Sequence, residues 1–209
     1  MKLKVCGMKY PDNIREVARL KPDYMGFIFY SHSVRCVNEA DVWTTIETLD
    51  ENIIKVGVFV NHAFDEVIEI CKKLKFRYAQ LHGEETPAYA ENIKLAGIQV
   101  IKVFHLRTDF NWNCIENFKD VADILLFDTP GPKYGGTGKK FEWKLLNKYR
   151  GDIPFFLSGG IDVDDIKKIY KLSFPRLYGI DVNSRMESSP ALKDIKHLEL
   201  LINELKNEK

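Results

Sequence analysis

Short apolar runs alternate along the chain with polar loops and with longer stretches in which apolar residues recur every three or four positions. The runs cover residues 3–6, 24–29, 53–60, 78–81, 98–104, 124–128, 153–157 and 177–182. They are rich in β-branched and aromatic side chains and are continuous, which is how parallel strands buried on both faces read. Between them, residues 11–20 place Ile14, Val17 and Ala18 on one helical face, and 63–74 do the same with Val67, Ile70 and Cys71. Residues 164–171 and 190–206 predict further helices, the last with Ser189 as its capping residue and Pro190 at its first position.

Eight strand-like runs in 209 residues leave roughly 26 residues for each strand-and-helix unit. That spacing predicts an α/β chain folded as a single (β/α)8 barrel over 1–209, shorter than the ~250 residues usual for the fold. An open doubly wound sheet is the rival, but no GxGxxG turn follows the first strand. No Pro/Ser-rich linker, low-complexity tract or charge block suggests a second domain.

Composition narrows the function classes. Hydrophobic residues make up 45% and charged residues 29%, the balance of a globular chain with a real core. Lys+Arg 31 against Asp+Glu 30 gives a net charge of +1, too little field for a general nucleic-acid binder or a polybasic membrane anchor. No stretch approaches the ~18 apolar residues of a membrane span, and the N-terminus turns polar too early for a secretory signal. A cytoplasmic location is expected. Cys6, Cys36, Cys71 and Cys114 form no CxxC pair and read as free thiols of a reducing compartment. The histidines show no HExxH or other ligand spacing, so no metal is expected.

Barrel chemistry sits at the C-terminal ends of the strands and on the loops that follow. There the chain presents Cys6-Gly7-Met8, then Ser33-Val34-Arg35, then Gln80-Leu81-His82-Gly83. Asp128-Thr129 precedes a glycine-rich segment, 131–139, and the last two strands end in Ser158-Gly159-Gly160 and Asp181-Val182-Asn183-Ser184. Turns of this kind at strands seven and eight expose backbone N–H groups that suit a substrate phosphate. Cys6 alone would read as a small buried hydrophobe. At a strand's last residue, across a barrel mouth from Asp128, it becomes one half of a base–acid pair for moving a proton.

These residues, in this order, resemble the phosphoribosylanthranilate isomerases, the barrel enzymes of tryptophan biosynthesis. The likeness spans essentially the whole chain through Lys4-Val5-Cys6-Gly7-Met8, Gly26-Phe27-Ile28-Phe29, Gln80-Leu81-His82-Gly83, Phe127-Asp128, Gly135-Gly136-Thr137-Gly138-Lys139, Ser158-Gly159-Gly160-Ile161 and Gly179-Ile180-Asp181-Val182-Asn183-Ser184. The resemblance implies an Amadori rearrangement of N-(5-phosphoribosyl)anthranilate, with Asp128 as general acid and Cys6 as general base. It implies that Arg35 holds the anthranilate carboxylate, that Gln80 and His82 line the mouth, and that 135–139, with Gly136 against the substrate, acts as a lid. Phosphate falls to Ser158, Gly159, Gly160, Asp181, Asn183 and Ser184. No cofactor is implied, since only protons move, and the partner is a phosphorylated small molecule rather than nucleic acid or membrane. The chain is expected to be a monomer or a homodimer. Arg185 stands where the family usually has a small residue, and either adds charge to the phosphate site or turns to solvent.

Rival readings remain. An indole-3-glycerol-phosphate synthase-like enzyme would need catalytic lysines inside the barrel, which Lys4, Lys55 and Lys102 could mimic. A histidine-pathway isomerase uses two aspartates for the analogous step, where this chain offers a cysteine. A non-catalytic barrel that binds a phosphorylated ligand would have no use for Cys6 or Asp128.

Overall fold

In a computed structural model that describes residues 1–37, 39–129 and 142–208, eight parallel strands close into a barrel in strict chain order. They are β1 (Lys2–Cys6), β2 (Tyr24–Ile28), β3 (Ile54–Phe59), β4 (Tyr78–Leu81), β5 (Gln99–His105), β6 (Ile124–Asp128), β7 (Phe155–Leu157) and β8 (Leu177–Val182). Closure comes from β8 pairing with β1, which sets Lys4 opposite Asp181. Gly136 and the rest of 135–139 lie outside the described residues, as does the lid assigned to them.

The outer layer holds α1 (Pro11–Arg19), α2 (Ala40–Glu47), α3 (Phe64–Lys73), α4 (Pro87–Leu95), α5 (Ile166–Leu172) and α6 (Ile195–Asn207). Pro11 opens α1 at the position where its missing N–H costs nothing, and Ile14 and Val17 bury the inner face. After β5 and β6 the described residues form only 3-10 segments, Trp112–Phe118 and Trp143–Lys148. These compact connections are one way a short chain still completes eight units.

One helix boundary differs from the sequence expectation. Ser189 and Pro190 do not start α6. Glu187–Ser189 (β9) and Leu192–Lys193 (β10) form a small antiparallel ribbon, with Pro190 and Ala191 as its turn. Ala191 has φ 70, the conformation required at the third position of a type II turn, and proline is favoured just before it. The cap of α6 is Asp194, whose side chain accepts the His197 N–H at 3.0 Å.

Alternation along each strand divides the interior. Leu3, Val5, Phe27, Phe59, Leu81, Leu125, Phe127 and Leu157 face the helices. Tyr24, Val56, Tyr78, Ile101, Val103, Leu126 and Phe156 fill the barrel, while Cys6, Ile28 and Val58 form a separate apolar cluster. The same phase that points Tyr24 inward points Lys4, Cys6, Gln80, His105 and Asp128 inward too.

Candidate active site

A cleft opens at the C-terminal ends of the strands. Its lining includes Cys6, Tyr30, Ser33, Gln80, His82, Asp128, Ser158, Gly159, Gly160, Asp181, Asn183, Ser184 and Arg185. The fold therefore brings together nearly every residue singled out from the strand ends. Arg35 is absent from this lining.

Asp128 is the last residue of β6 and is buried. Its Oδ1 accepts the Thr129 N–H at 2.7 Å, and Oδ2 faces His82 Nε2 at 3.7 Å. Burial dominates its ionisation, with Asp181 adding to it, and the carboxyl is pushed up to about 7. A protonated acid is thus present near neutral pH. His82 is held well below the usual histidine range, first by burial and then by His105, Lys4 and Lys102. It is a neutral imidazole whose Nδ1 lies 3.0 Å from Gln80 Nε2. Gln80 Oε1 and His82 Nε2 are buried without a hydrogen-bond partner.

Cys6 closes β1, and Gly26 makes room for it. A Cβ at Gly26 would stand 2.7 Å from Cys6 Sγ and 3.1 Å from Lys4 Nζ, so the thiol and the ammonium share that space. Gly7 has φ 74, and a Cβ there would reach within 2.6 Å of both Arg35 Cδ and Asn183 Oδ1. Burial pushes the Cys6 thiol up and outweighs Lys4 and Lys193, which pull it down. The resting group is a thiol with two ammoniums placed to receive its thiolate. Burial likewise lowers Lys193, to about 8, against the upward pull of Glu187 and Cys6.

Lys4 is fully buried and donates to Asp181 Oδ1 at 2.7 Å, while Ser158 Oγ donates to Asp181 Oδ2 at 3.1 Å. Asp181 was expected among the phosphate ligands. Its carboxylate is instead occupied by Lys4 and Ser158, and its charge would repel a phosphate. Asn183 Oδ1 accepts from Lys193 Nζ at 2.7 Å, so this side chain too is tied into the framework. Gly159 and Gly160 have φ 92 and 65, and a Cβ on Gly159 would fall 2.2 Å from Thr129 Oγ1. Arg185 lies exposed at the cleft rim in the 3-10 turn Ser184–Met186. It has no positive φ, so the position does not call for glycine.

Arg35 binds Glu187 through Nε at 2.8 Å and Nη2 at 2.6 Å, a two-point pair at the foot of the β9–β10 ribbon. Lys193 Nζ meets the same carboxylate at 2.6 Å. Glu187 is held below the usual carboxylate range because these two cations outweigh its burial. Sequence reasoning missed Glu187 and Lys193, which stand beyond the motifs and reach the site only because the ribbon folds back. Lys4 was legible, since it shares the inward phase of Cys6 two residues on.

The lysines that could have mimicked a synthase site diverge. Lys55 Nζ donates to Ile46 O at 3.2 Å, and Lys102 Nζ binds Glu85 Oε2 at 2.8 Å and Gly83 O at 2.7 Å, while Lys4 alone points into the barrel. Among the described residues, no helix is long and apolar enough to cross a membrane.

Fold and site together define a (β/α)8-barrel enzyme whose chemistry rests on proton transfer. The chain belongs to the N-(5'-phosphoribosyl)anthranilate isomerase family, whose description matches residues 3–204. It is an isomerase of tryptophan biosynthesis. It is 39% identical to the N-(5'-phosphoribosyl)anthranilate isomerase of Phocaeicola vulgatus, over 99% of this chain and 98% of that one. It is 40% identical to the enzyme of Parabacteroides distasonis, over 98% and 93%. Among solved structures, the phosphoribosyl anthranilate isomerase of Thermus thermophilus superposes with a TM-score of 0.85 at 27% identity, covering 100% of both chains. Another isomerase, solved with reduced 1-(o-carboxyphenylamino)-1-deoxyribulose 5-phosphate, gives 0.81 at 25% identity over 99% of both. A structure of monomers generated from the dimeric isomerase of Thermotoga maritima gives 0.80 at 25% identity over 99% of both.

Proposed function

We propose that the chain converts N-(5-phosphoribosyl)anthranilate to 1-(2-carboxyphenylamino)-1-deoxyribulose 5-phosphate, with Asp128 as general acid and Cys6 as general base, in one catalytic domain. Asp128 gives its proton to the furanose ring oxygen as the C1′–O bond breaks and the anilino nitrogen forms a C1′ iminium. The Cys6 thiol first gives up its proton to solvent. The thiolate then removes the C2′ proton, so that the electron pair of the broken C2′–H bond closes the C1′–C2′ double bond and neutralises the iminium. The enolamine gains a proton at C1′ and loses one from the C2′ hydroxyl, which gives the aminoketone and restores the pair. Lys4 and Lys193 stabilise the thiolate during its brief life. Asp181 is a positioning residue that holds Lys4 beside Cys6.

The observation that carries this reading is that Cys6 and a carboxyl with a pKa of about 7 face one cleft from separate strands. The backbone N–H groups of Gly159 and Gly160, with Ser184 and Arg185 opposite, are assigned to the phosphate. Gln80 and His82 line the anthranilate side. Arg35 can still serve the substrate carboxylate, because Glu187 takes only its Nε–Nη2 edge and the other edge keeps donors. All these groups come from one chain, so a monomer and a homodimer would both be active. A free catalytic thiol fits the reducing cytoplasm.

The test is a fluorescence assay that follows loss of the anthranilate conjugate. Turnover that survives unchanged in Cys6→Ala and Asp128→Asn would sink the assignment. Arg35→Ala should raise KM far more than it lowers kcat, by about 1.5–3 kcal/mol of binding, because that carboxylate is remote from the reacting carbons. An unchanged KM would remove Arg35 from the site.

A further inference from the structure

We propose that the barrel mouth holds a second, inhibitory site: a divalent first-row cation, zinc in the first instance, bound by His82, His105 and Asp128. His105 and Asp128 end β5 and β6, where they stand directly opposite each other in register, and His82 immediately follows the last residue of the neighbouring β4. One donor atom from each of the three lies within 4.8 Å of the others. His82 Nε2 stands 3.7 Å from Asp128 Oδ2, and the two imidazoles pack with centroids 5.3 Å apart. A zinc ion about 2.0–2.1 Å from each ligand holds its donors roughly 3.3 Å apart in a tetrahedron. The His82–Asp128 pair is already close to that spacing, and small side-chain rotations close the rest.

Two buried atoms point to a ligand here. His82 Nε2 and Gln80 Oε1 both lack a hydrogen-bond partner. If the Gln80 carboxamide turns half over, Oε1 accepts from Nδ1–H of His82, and Nε2 becomes a bare lone pair aimed between Asp128 and His105. That is the arrangement in which a neighbouring carbonyl fixes the tautomer of a metal-bound imidazole. Two imidazoles and a carboxylate suit zinc, cobalt or nickel rather than magnesium or calcium, and they leave an open coordination position facing the cleft. The cation would occupy Asp128, so binding competes with its work as an acid. This second function rests on the acid role of Asp128, whereas binding itself does not.

The experiment uses the full chain freed of metal with a chelator. Zinc should inhibit the isomerase reversibly, and chelator should restore it. His105→Gln, with His105→Asn as a second variant should the first fold poorly, should keep its metal-free kcat/KM within about twofold. Either should need about tenfold or more zinc for half-inhibition. Equal zinc sensitivity in a folded His105 variant would overturn the proposal. Cobalt(II) spectra give a readout independent of activity. Ligation by nitrogen and oxygen alone is expected, whereas a thiolate-to-cobalt charge-transfer band that disappears in Cys6→Ser would move the metal to Cys6 and overturn the site. Calorimetry should show zinc affinity lost in Asp128→Asn. Zinc bound at the three residues with activity intact would overturn the inhibitory role and, with it, the assignment of Asp128 as the acid.

Discussion

The lower and upper halves of the barrel interior are built by the same strands in the same phase, yet they solve opposite problems. Below, Tyr24 sits edge-on to Phe156 at 5.2 Å and to Tyr178 at 6.2 Å, and its hydroxyl meets that of Tyr178 at 2.8 Å. The two hydroxyls partner each other, and apart from Tyr78 the cluster around them is hydrocarbon: Val56, Ile101, Val103, Ile124, Leu126 and Phe156. Above, the same inward positions carry Lys4, Cys6, Gln80, Asp128, Ser158 and Asp181, several buried with strongly displaced ionisation. Burial lowers the free energy below and raises it above. The upper half is tolerable because the lower half and the outer shell carry the fold. The cost of ionising there keeps Asp128 protonated up to about pH 7, whereas at Cys6 the same cost opposes the thiolate and Lys4 and Lys193 offset only part of it.

Asp128→Asn tests this contrast most severely. Activity should fall by about 10²–10⁴-fold, since the acid is gone while the shape remains. Stability should move the other way. Because Asp128 is held at about 7 against an ordinary 3.8, the folded protein keeps a proton that the unfolded chain has already lost. The stability this contributes is complete below the ordinary value and is lost as pH rises through about 7. Asn never ionises, so the variant's advantage should grow by up to ~1.4 kcal/mol per pH unit across that window and then level off. Melting curves of both proteins between acid and alkaline pH check it, and a flat difference would show that Asp128 is solvated. Cys6→Ser should lose activity nearly as heavily, because a hydroxyl is far harder to ionise beside Lys4 than a thiol. A Cys6→Ala protein with near-full turnover would end thiol base catalysis.

Phe156→Ala belongs to the lower half and should do the reverse. Removing a fully buried ring among Tyr24, Tyr78 and Tyr178 should cost about 3–5 kcal/mol of unfolding free energy. The kcat/KM of the folded fraction, read at low temperature, should stay near wild type. A large kinetic defect with little loss of stability would mean that the two halves are mechanically coupled.

Much of this division could be read from the chain before its fold was known. All eight strands fall within a residue or two of the apolar runs, because parallel strands buried on both faces leave continuous signals. The latest start, Phe155 rather than residue 153, follows Pro154, which has no N–H to give the ladder. The strand-end motifs located Cys6, Asp128 and the Gly159–Gly160 turn, since backbone geometry ties those residues to the mouth. Partnerships were another matter. Arg35–Glu187 and Lys4–Asp181 join residues 152 and 177 positions apart, and no local pattern encodes them. The Ser189–Pro190 signal was real turn chemistry assigned to the wrong structure, since a proline that can open a helix can equally open a type II turn. The meeting of His82, His105 and Asp128 through adjacent strands is likewise invisible to spacing along the chain.

The smallest effect is expected from Tyr24→Phe. The substitution deletes one hydroxyl and leaves the ring stack in place. The Tyr24–Tyr178 hydrogen bond is lost, and since Tyr178 is only partly buried its hydroxyl can turn to water rather than stand unsatisfied. The cost should therefore be about 1 kcal/mol, near the ordinary worth of such a bond and below the penalty of an orphaned buried donor. In a chain of this length that is a fall in Tm of about 2–4 °C. Steady-state kinetics should be unchanged, because Tyr24 lies at the opposite end of β2 from the mouth and touches neither Cys6 nor the phosphate turns. A shifted pH profile in Tyr24→Phe would show that the hydroxyl pair influences Lys4 from below, and the separation of the two halves would have to be given up.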